Sequence, residues 1–290
     1  KPELSTIFPS KRVMNRLLFD YDSRLNFKNL YPIYESVYRS IDSDGFTLPN
    51  YATSADLMLM REVLGVIRKR THATNRHLLA LENELVEKAA ELGNNDAVAT
   101  LAFETINDPG NPEDMAHAKK LVIELFKLEN PLTFKLSGDL AWAKKDVGQA
   151  EALYTRFLEL EPNTATSSEV YKNLAFINFL KPDLLALQRY FEKSIKFGEA
   201  ANVAQCHFYL GQLAHAQPLL ARHHYEAGAS QGLIEAFPAL GFLEMNYYNN
   251  FAKAVEWFKL GVELRDSTAL MGLFDCYVRM ELWEKAEATL

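Results

Sequence analysis

From residue 131 onward, small and aromatic residues recur at fixed offsets with a period of about 34 residues, and no other feature restricts the possible folds so much. The clearest unit, 131–164, carries Phe134, Gly138, Ala141, Ala150, Tyr154, Phe157 and Pro162. Two helices approach closely only where Gly138 and Ala150 keep side chains out of the way, while the aromatic residues fill the space around them. Each such hairpin is too small to bury its apolar face alone, so the repeats must stack on their neighbours.

The same offsets return at Tyr171, Leu174, Ala175 and Phe191, then at Leu210, Gly211 and Ala214 in a third unit whose second helix reads as shortened. A fourth unit has Phe237, Leu240, Gly241, Ala254, Phe258 and Gly261, with one extra residue in the turn Tyr247-Tyr248-Asn249-Asn250. Gly272, Phe274, Tyr277, Trp283 and Ala286 belong to a fifth. The pattern resembles tetratricopeptide repeats. Upstream, residues 89–128 have a weaker, Sel1-like hairpin with Gly93, Ala97, Ala102, Ala118 and Leu125 around the breaker run Asp108-Pro109-Gly110-Asn111-Pro112. Residues 1–88 lack the period but read as helical by apolar spacing: 27–41, 54–70 behind a Thr53/Ser54 cap, and a third helix capped by Thr74. The expected architecture is all-α: a superhelix, or solenoid, of such hairpins over 89–290, continuous with an N-terminal helical extension over 1–88.

Charge narrows the partners. With 31 Lys and Arg against 38 Asp and Glu, the chain carries a net −7, which argues against a nucleic-acid backbone as the main partner. Residues 1–30 run the other way. Lys1, Lys11, Arg12, Arg16, Arg24 and Lys28 oppose Glu3, Asp20 and Asp22 there. A second basic cluster follows at Arg68, Lys69 and Arg70, with His72, Arg76 and His77 beyond it. Two readings stay open for these cations: complements to a helix C-terminus facing solvent, or contacts with an anionic membrane at about 1 kcal/mol each. Two cysteines, Cys206 and Cys276, make no disulfide framework and suit a reducing compartment. The opening Lys1 and the helical pattern still running at Leu290 imply trimmed ends, with any targeting segment outside this sequence.

Catalytic signals are weak. Gly228-Ala229-Ser230-Gln231-Gly232 matches a nucleophile elbow, but it follows a helical run rather than a strand, and no His comes after His224. The simpler reading is a helix end with Gly228 in the left-handed conformation. Cys206-His207 and His223-His224 hold four metal-ligating side chains in one repeat. Adjacent helical residues point about 100° apart, so one ion cannot readily use them all. No cofactor motif accompanies them.

The first helices of these repeats would line an inner groove with Lys135 and Trp142, then Lys172, Phe176 and Phe179, then Phe208 and Gln212, and later Phe242. These aromatics either face the groove or are buried between repeats. Asp139 and Phe176 stand where the carboxylate clamp of chaperone adaptors wants Asn, which disfavours a general adaptor that recruits chaperones. The acidic balance disfavours an organellar RNA-binding repeat protein.

Three longer runs are more specific than repeat positions: SADLMLMREVL at 54–64, AAELGNNDAV at 89–98 and LGFLEMNYYNNFAKAVEWFKLGVEL at 240–264. With the opening IFPSKRVMNRLLFDYDSRL and the late LFDCYV, they resemble a fungal mitochondrial tetratricopeptide family required to export the C-terminal tail of cytochrome c oxidase subunit 2. The resemblance spans nearly the whole chain. It implies a non-enzymatic scaffold without cofactors, held peripherally on the matrix side of the inner membrane. Its implied partners are the subunit 2 tail, the Oxa-type insertase machinery, or both. It implies no particular functional residue.

Overall fold

The computed structural model describes residues 1–42, 46–72, 74–108, 110–179 and 183–289. Among these residues there are seventeen α-helices, one short 3-10 turn and no strand. The chain divides into two compact units, Lys1–Leu136 and Ser137–Leu290. Pro109 of the breaker run and Leu290 lie outside the described residues.

The first unit contains α1 (Leu4–Ile7), α2 (Lys11–Asp20), α3 (Phe27–Ser40), α4 (Ser54–Thr71), α5 (Arg76–Glu91), α6 (Asn95–Asn107), α7 (Pro112–Lys127) and the start of α8 (Pro131–Ala143). Met14, Leu17 and Leu18 form one stripe of α2 and join a core with Leu30, Ile33, Tyr34, Leu57, Met60, Leu81 and Leu85. Buried Tyr34 satisfies its hydroxyl by donating to the Met60 carbonyl at 2.9 Å. The core therefore runs through the segments that lack the repeat period. Apolar spacing alone was enough to build it.

The second unit takes the rest of α8 and stacks α9 (Val147–Leu160), α10 (Ala165–Asn178), α11 (Leu184–Phe197), α12 (Ala204–Leu213), α13 (Pro218–Ser230), α14 (Ala236–Asn246), α15 (Phe251–Glu263), α16 (Ser267–Arg279) and α17 (Trp283–Glu287). The repeat offsets acquire a physical meaning here. In three hairpins an aromatic ring from the second helix packs against a glycine of the first. A Cβ on Gly138 would come within 2.7 Å of the Tyr154 ring, one on Gly211 within 2.5 Å of Tyr225, and one on Gly241 within 2.5 Å of Phe258. Phe258 also fills the space over Gly272 of the following hairpin. Tyr154 adds a polar lock: its hydroxyl donates to Asp139 at 2.7 Å and accepts from Asn173 of the next hairpin at 3.2 Å.

The connections are as regular as the helices. Five times a residue in the left-handed region is followed at once by the residue that caps the next helix: Gly93-Asn94, Glu129-Asn130, Lys145-Asp146, Asn249-Asn250 and Arg265-Asp266. The cap's own backbone N–H reaches back to close the preceding helix, as in Asp146 to Ala141 at 2.9 Å and Asp266 to Gly261 at 3.0 Å. Its side chain meanwhile accepts from the new helix, at 3.1 Å from Gln149 and 2.6 Å from Ala269. One residue thus ends one helix and starts the next.

Three local expectations change. Asn75, not Thr74, caps α5, because its side chain accepts from His77 N–H at 2.9 Å. In the third repeat the short helix is the first, α12 with 10 residues, while α13 has 13. Residues Ala200–Asn202 form a 3-10 turn instead, and α12 starts late as a result. Gly228 lies within α13 rather than in the left-handed position, which Gly232 takes with φ +80°. The Gly228 carbonyl accepts from Leu233 N–H at 3.2 Å, which closes the helix beyond it.

Candidate functional site

The second unit gathers several groove residues into one aromatic cluster. Phe176 of α10 meets Phe191 of α11 and Tyr209 of α12 edge-on, with ring centroids 5.9 and 5.5 Å apart. Phe179 packs on Tyr209 at 5.0 Å, and Tyr209 connects to Phe208, which reaches Tyr225 of α13 at 5.9 Å. The buried member is Phe191, and Phe176, Phe208, Tyr209 and Tyr225 are half-buried. Phe179 is 46% exposed, so the cluster opens to solvent at its side chain. Lys172 is half-buried on α10 and Gln212 exposed on α12. Phe242 belongs to a different cluster, edge-on to Phe258 at 5.0 Å. Lys135 and Trp142, both half-buried, are on α8. Sequence reasoning missed Tyr209 and Tyr225 as members. Tyr209 stands directly beside Phe208 on α12 and could have been found as its neighbour, whereas Tyr225 is on the second helix α13, outside the first-helix positions that the groove reading used.

The basic residues divide. Lys11, Arg12 and Arg16 are exposed on α2, and none has an ion-pair partner among the described residues. Arg68 instead grips buried Glu82, with Nη2 to Oε2 at 3.0 Å and Nε to Oε1 at 3.1 Å. That pair ties the end of α4 to α5, and it raises the Arg68 pKa through the hydrogen bond and the carboxylate charge. Lys69 and Arg70 are exposed at the same helix end. Arg24 is likewise engaged, by Asp56 and the Tyr51 carbonyl.

The histidines form a pair, not a chelate. His207 Nδ1 and His224 Nδ1 are 3.0 Å apart with ring centroids at 5.3 Å, so each nitrogen points straight at the other. One imidazole donates its N–H to the other, and an ion placed between them would be far too close to both. Among the described residues, no group of three or more His, Cys, Asp or Glu side chains is placed to hold a metal. Burial, then His207 and His223, lower the His224 pKa to about 4, against a weaker opposing pull from Glu192. His207 is lowered too, by burial and His223. We expect an NMR titration to show His224 titrating near 4 and moving upward in His207→Ala, with His207 titrating below its ordinary value. The depressed pKa also means that this pair's contribution to stability is complete above the ordinary value of 6.5 and is lost as pH falls toward 4.

A buried charge network was also not foreseen. Glu244 interrupts the most apolar stretch of the sequence and is only 1% exposed. Its Oε1 receives Arg222 at 2.5 Å and Lys253 at 3.0 Å, and the Arg222 guanidinium lies 4.1 Å over the Tyr248 ring. These contacts connect α13, α14 and α15. No helix among the described residues is long and apolar enough to cross a membrane.

A family model described as the MSS2 N-terminal domain matches residues 1–94. Protein MSS2, mitochondrial, of Saccharomyces cerevisiae is 35% identical over 296 residues, covering 98% of this chain and 84% of the yeast protein. This chain belongs to the MSS2 family. The MSS2 N-terminal match takes in α1 to α5, and so all six basic candidates, while the aromatic cluster lies in the part that only the full-length MSS2 similarity reaches. The crystal structure of yeast Tom70 is similar over 88% of this chain and 53% of Tom70, at 16% identity and a TM-score of 0.43.

Proposed function

We propose that this chain is a non-enzymatic scaffold on the matrix side of the mitochondrial inner membrane that assists translocation of the cytochrome c oxidase subunit 2 C-terminal tail. Membership of a family whose yeast member is named as mitochondrial supports the compartment. The observation that carries the tail-handling role is the aromatic cluster, which offers four half-buried rings and the exposed Phe179 on consecutive hairpins. An extended tail can bury apolar side chains on such a surface at about 25 cal/mol per Å², with aromatic residues as the dominant contacts. Lys172 and Gln212 supply polar groups to its backbone and acidic side chains. No bond is made or broken, and the Oxa-type insertase carries the tail onward.

The test is binding of a synthetic subunit 2 tail peptide. Phe179→Ala with Phe208→Ala should weaken it by about 2–4 kcal/mol. Circular dichroism must show the variant folded, since Phe208 packs on Tyr225. A folded variant with unchanged affinity would remove the cluster from consideration. Photocrosslinking from Phe179 in isolated mitochondria then distinguishes the tail from the insertase as direct partner.

A further inference from the structure

α2 has a solvent face that its role in the core does not explain. Met14, Leu17 and Leu18 are buried, yet Phe19 is 85% exposed, the highest value among the large hydrophobic side chains of the described residues. By helical spacing Phe19 falls three residues after Arg16 and seven after Arg12, in the middle of the face opposite the buried stripe. Lys11 and Asn15 flank it on one side, and Val13, 43% exposed, and Asp20 on the other. Three cations without carboxylate partners thus surround one bare aromatic ring, on a chain whose net charge is −7.

We propose that α2 docks on an anionic phospholipid surface, with Phe19 entering the headgroup boundary and Lys11, Arg12 and Arg16 meeting lipid phosphates. Charge complementarity selects this occupant. Cations that face an acidic chain's surroundings rather than its own carboxylates find their counter-charge outside the protein, and a short helix lying flat presents Arg12 and Arg16 beside Phe19 with Lys11 at the edge of the same face. A solvent-exposed ring placed among them adds apolar contact only if something other than water covers it. Arg68 takes no part, because Glu82 already holds it. This inference rests on the membrane placement proposed above and narrows it to a single helix.

The test uses the whole protein and sedimentation with phosphatidylcholine vesicles, with and without phosphatidylglycerol. Wild type should partition onto the anionic vesicles only. Arg12→Glu with Arg16→Glu should reduce partitioning at least ~10-fold, and moderate salt should act likewise. Phe19→Ser should reduce it ~3-fold or more without altering charge. Lys144→Glu with Lys145→Glu, an equal charge change in the second unit, should leave it within ~2-fold. The buried stripe is untouched in every variant, and circular dichroism should confirm the fold. If wild type binds anionic vesicles and the α2 variants bind equally well, α2 is not the docking element although the membrane placement survives. Wild type that ignores both vesicle types overturns this inference and lipid attachment together. Loss of binding to an oligouridine or a polyglutamate probe through these residues, without vesicle binding, would also overturn the lipid assignment.

Discussion

Ala254→Arg is expected to destabilise the second unit by at least about 3 kcal/mol and to leave a shallow, early unfolding transition. Ala254 is completely buried in α15, in the cluster that α15 forms with Phe258, Ala269, Leu273 and Cys276. A guanidinium there would have no partner, and the helices would have to separate to let it reach water. Ala150→Arg in α9 should behave the same way, because Ala150 is equally inaccessible. Urea unfolding followed by circular dichroism measures both. Unchanged midpoints would mean that the hairpins are registered differently from the packing described above.

The second large effect concerns Glu244. Arg222→Ala should cost about 3 kcal/mol, because it leaves a carboxylate at 1% exposure with Lys253 as its remaining partner. It also removes the cation over Tyr248. The informative comparison is Arg222→Met combined with Glu244→Leu, which removes the buried carboxylate with its half-buried guanidinium partner and lets Lys253 turn to solvent. That double variant should recover most of the loss, since paired burial of charges gains little over apolar side chains of similar volume. Equal destabilisation in the single and double variants would show that packing, rather than desolvated charge, governs the site.

The helical architecture could be read from the sequence because its determinants are local. Gly138, Gly211 and Gly241 announced close approaches that the rings of Tyr154, Tyr225 and Phe258 occupy. Thr53 was identifiable as a cap, and the Thr53 and Asp56 pair forms a capping box there. Adjacent candidates were harder. Thr74 and Asn75 are both good caps, and the choice depends on which side chain meets the His77 N–H. Gly228 and Gly232 are both plausible helix ends, and only the Leu233 bond to the Gly228 carbonyl decides between them. The functional surfaces were less legible because they depend on which partner a side chain finds across the fold. Arg68 and Arg12 look alike in sequence, but Glu82 occupies one and nothing in the described residues occupies the other. Phe19 could have been found by noting that it falls off the stripe of Met14, Leu17 and Leu18, whereas Glu244 looked like a simple interruption of an apolar run.

Surface turns are usually where a protein family gains and loses residues most easily. The turns at Gly93-Asn94, Lys145-Asp146 and Arg265-Asp266 should be exceptions, since an inserted residue would separate the end of one helix from the start of the next. The fourth repeat shows the single form of insertion that is tolerated: its extra residue lies before the cap, and the Asn250 N–H still closes the preceding helix by reaching one residue further back, to the Glu244 carbonyl at 2.8 Å. Length variation among homologous chains is then channelled into the looser connections, such as the one around Ala200–Asn202 between α11 and α12. Epitope tags or reporter domains for studies in mitochondria belong there and not at the tight turns, however accessible those turns are.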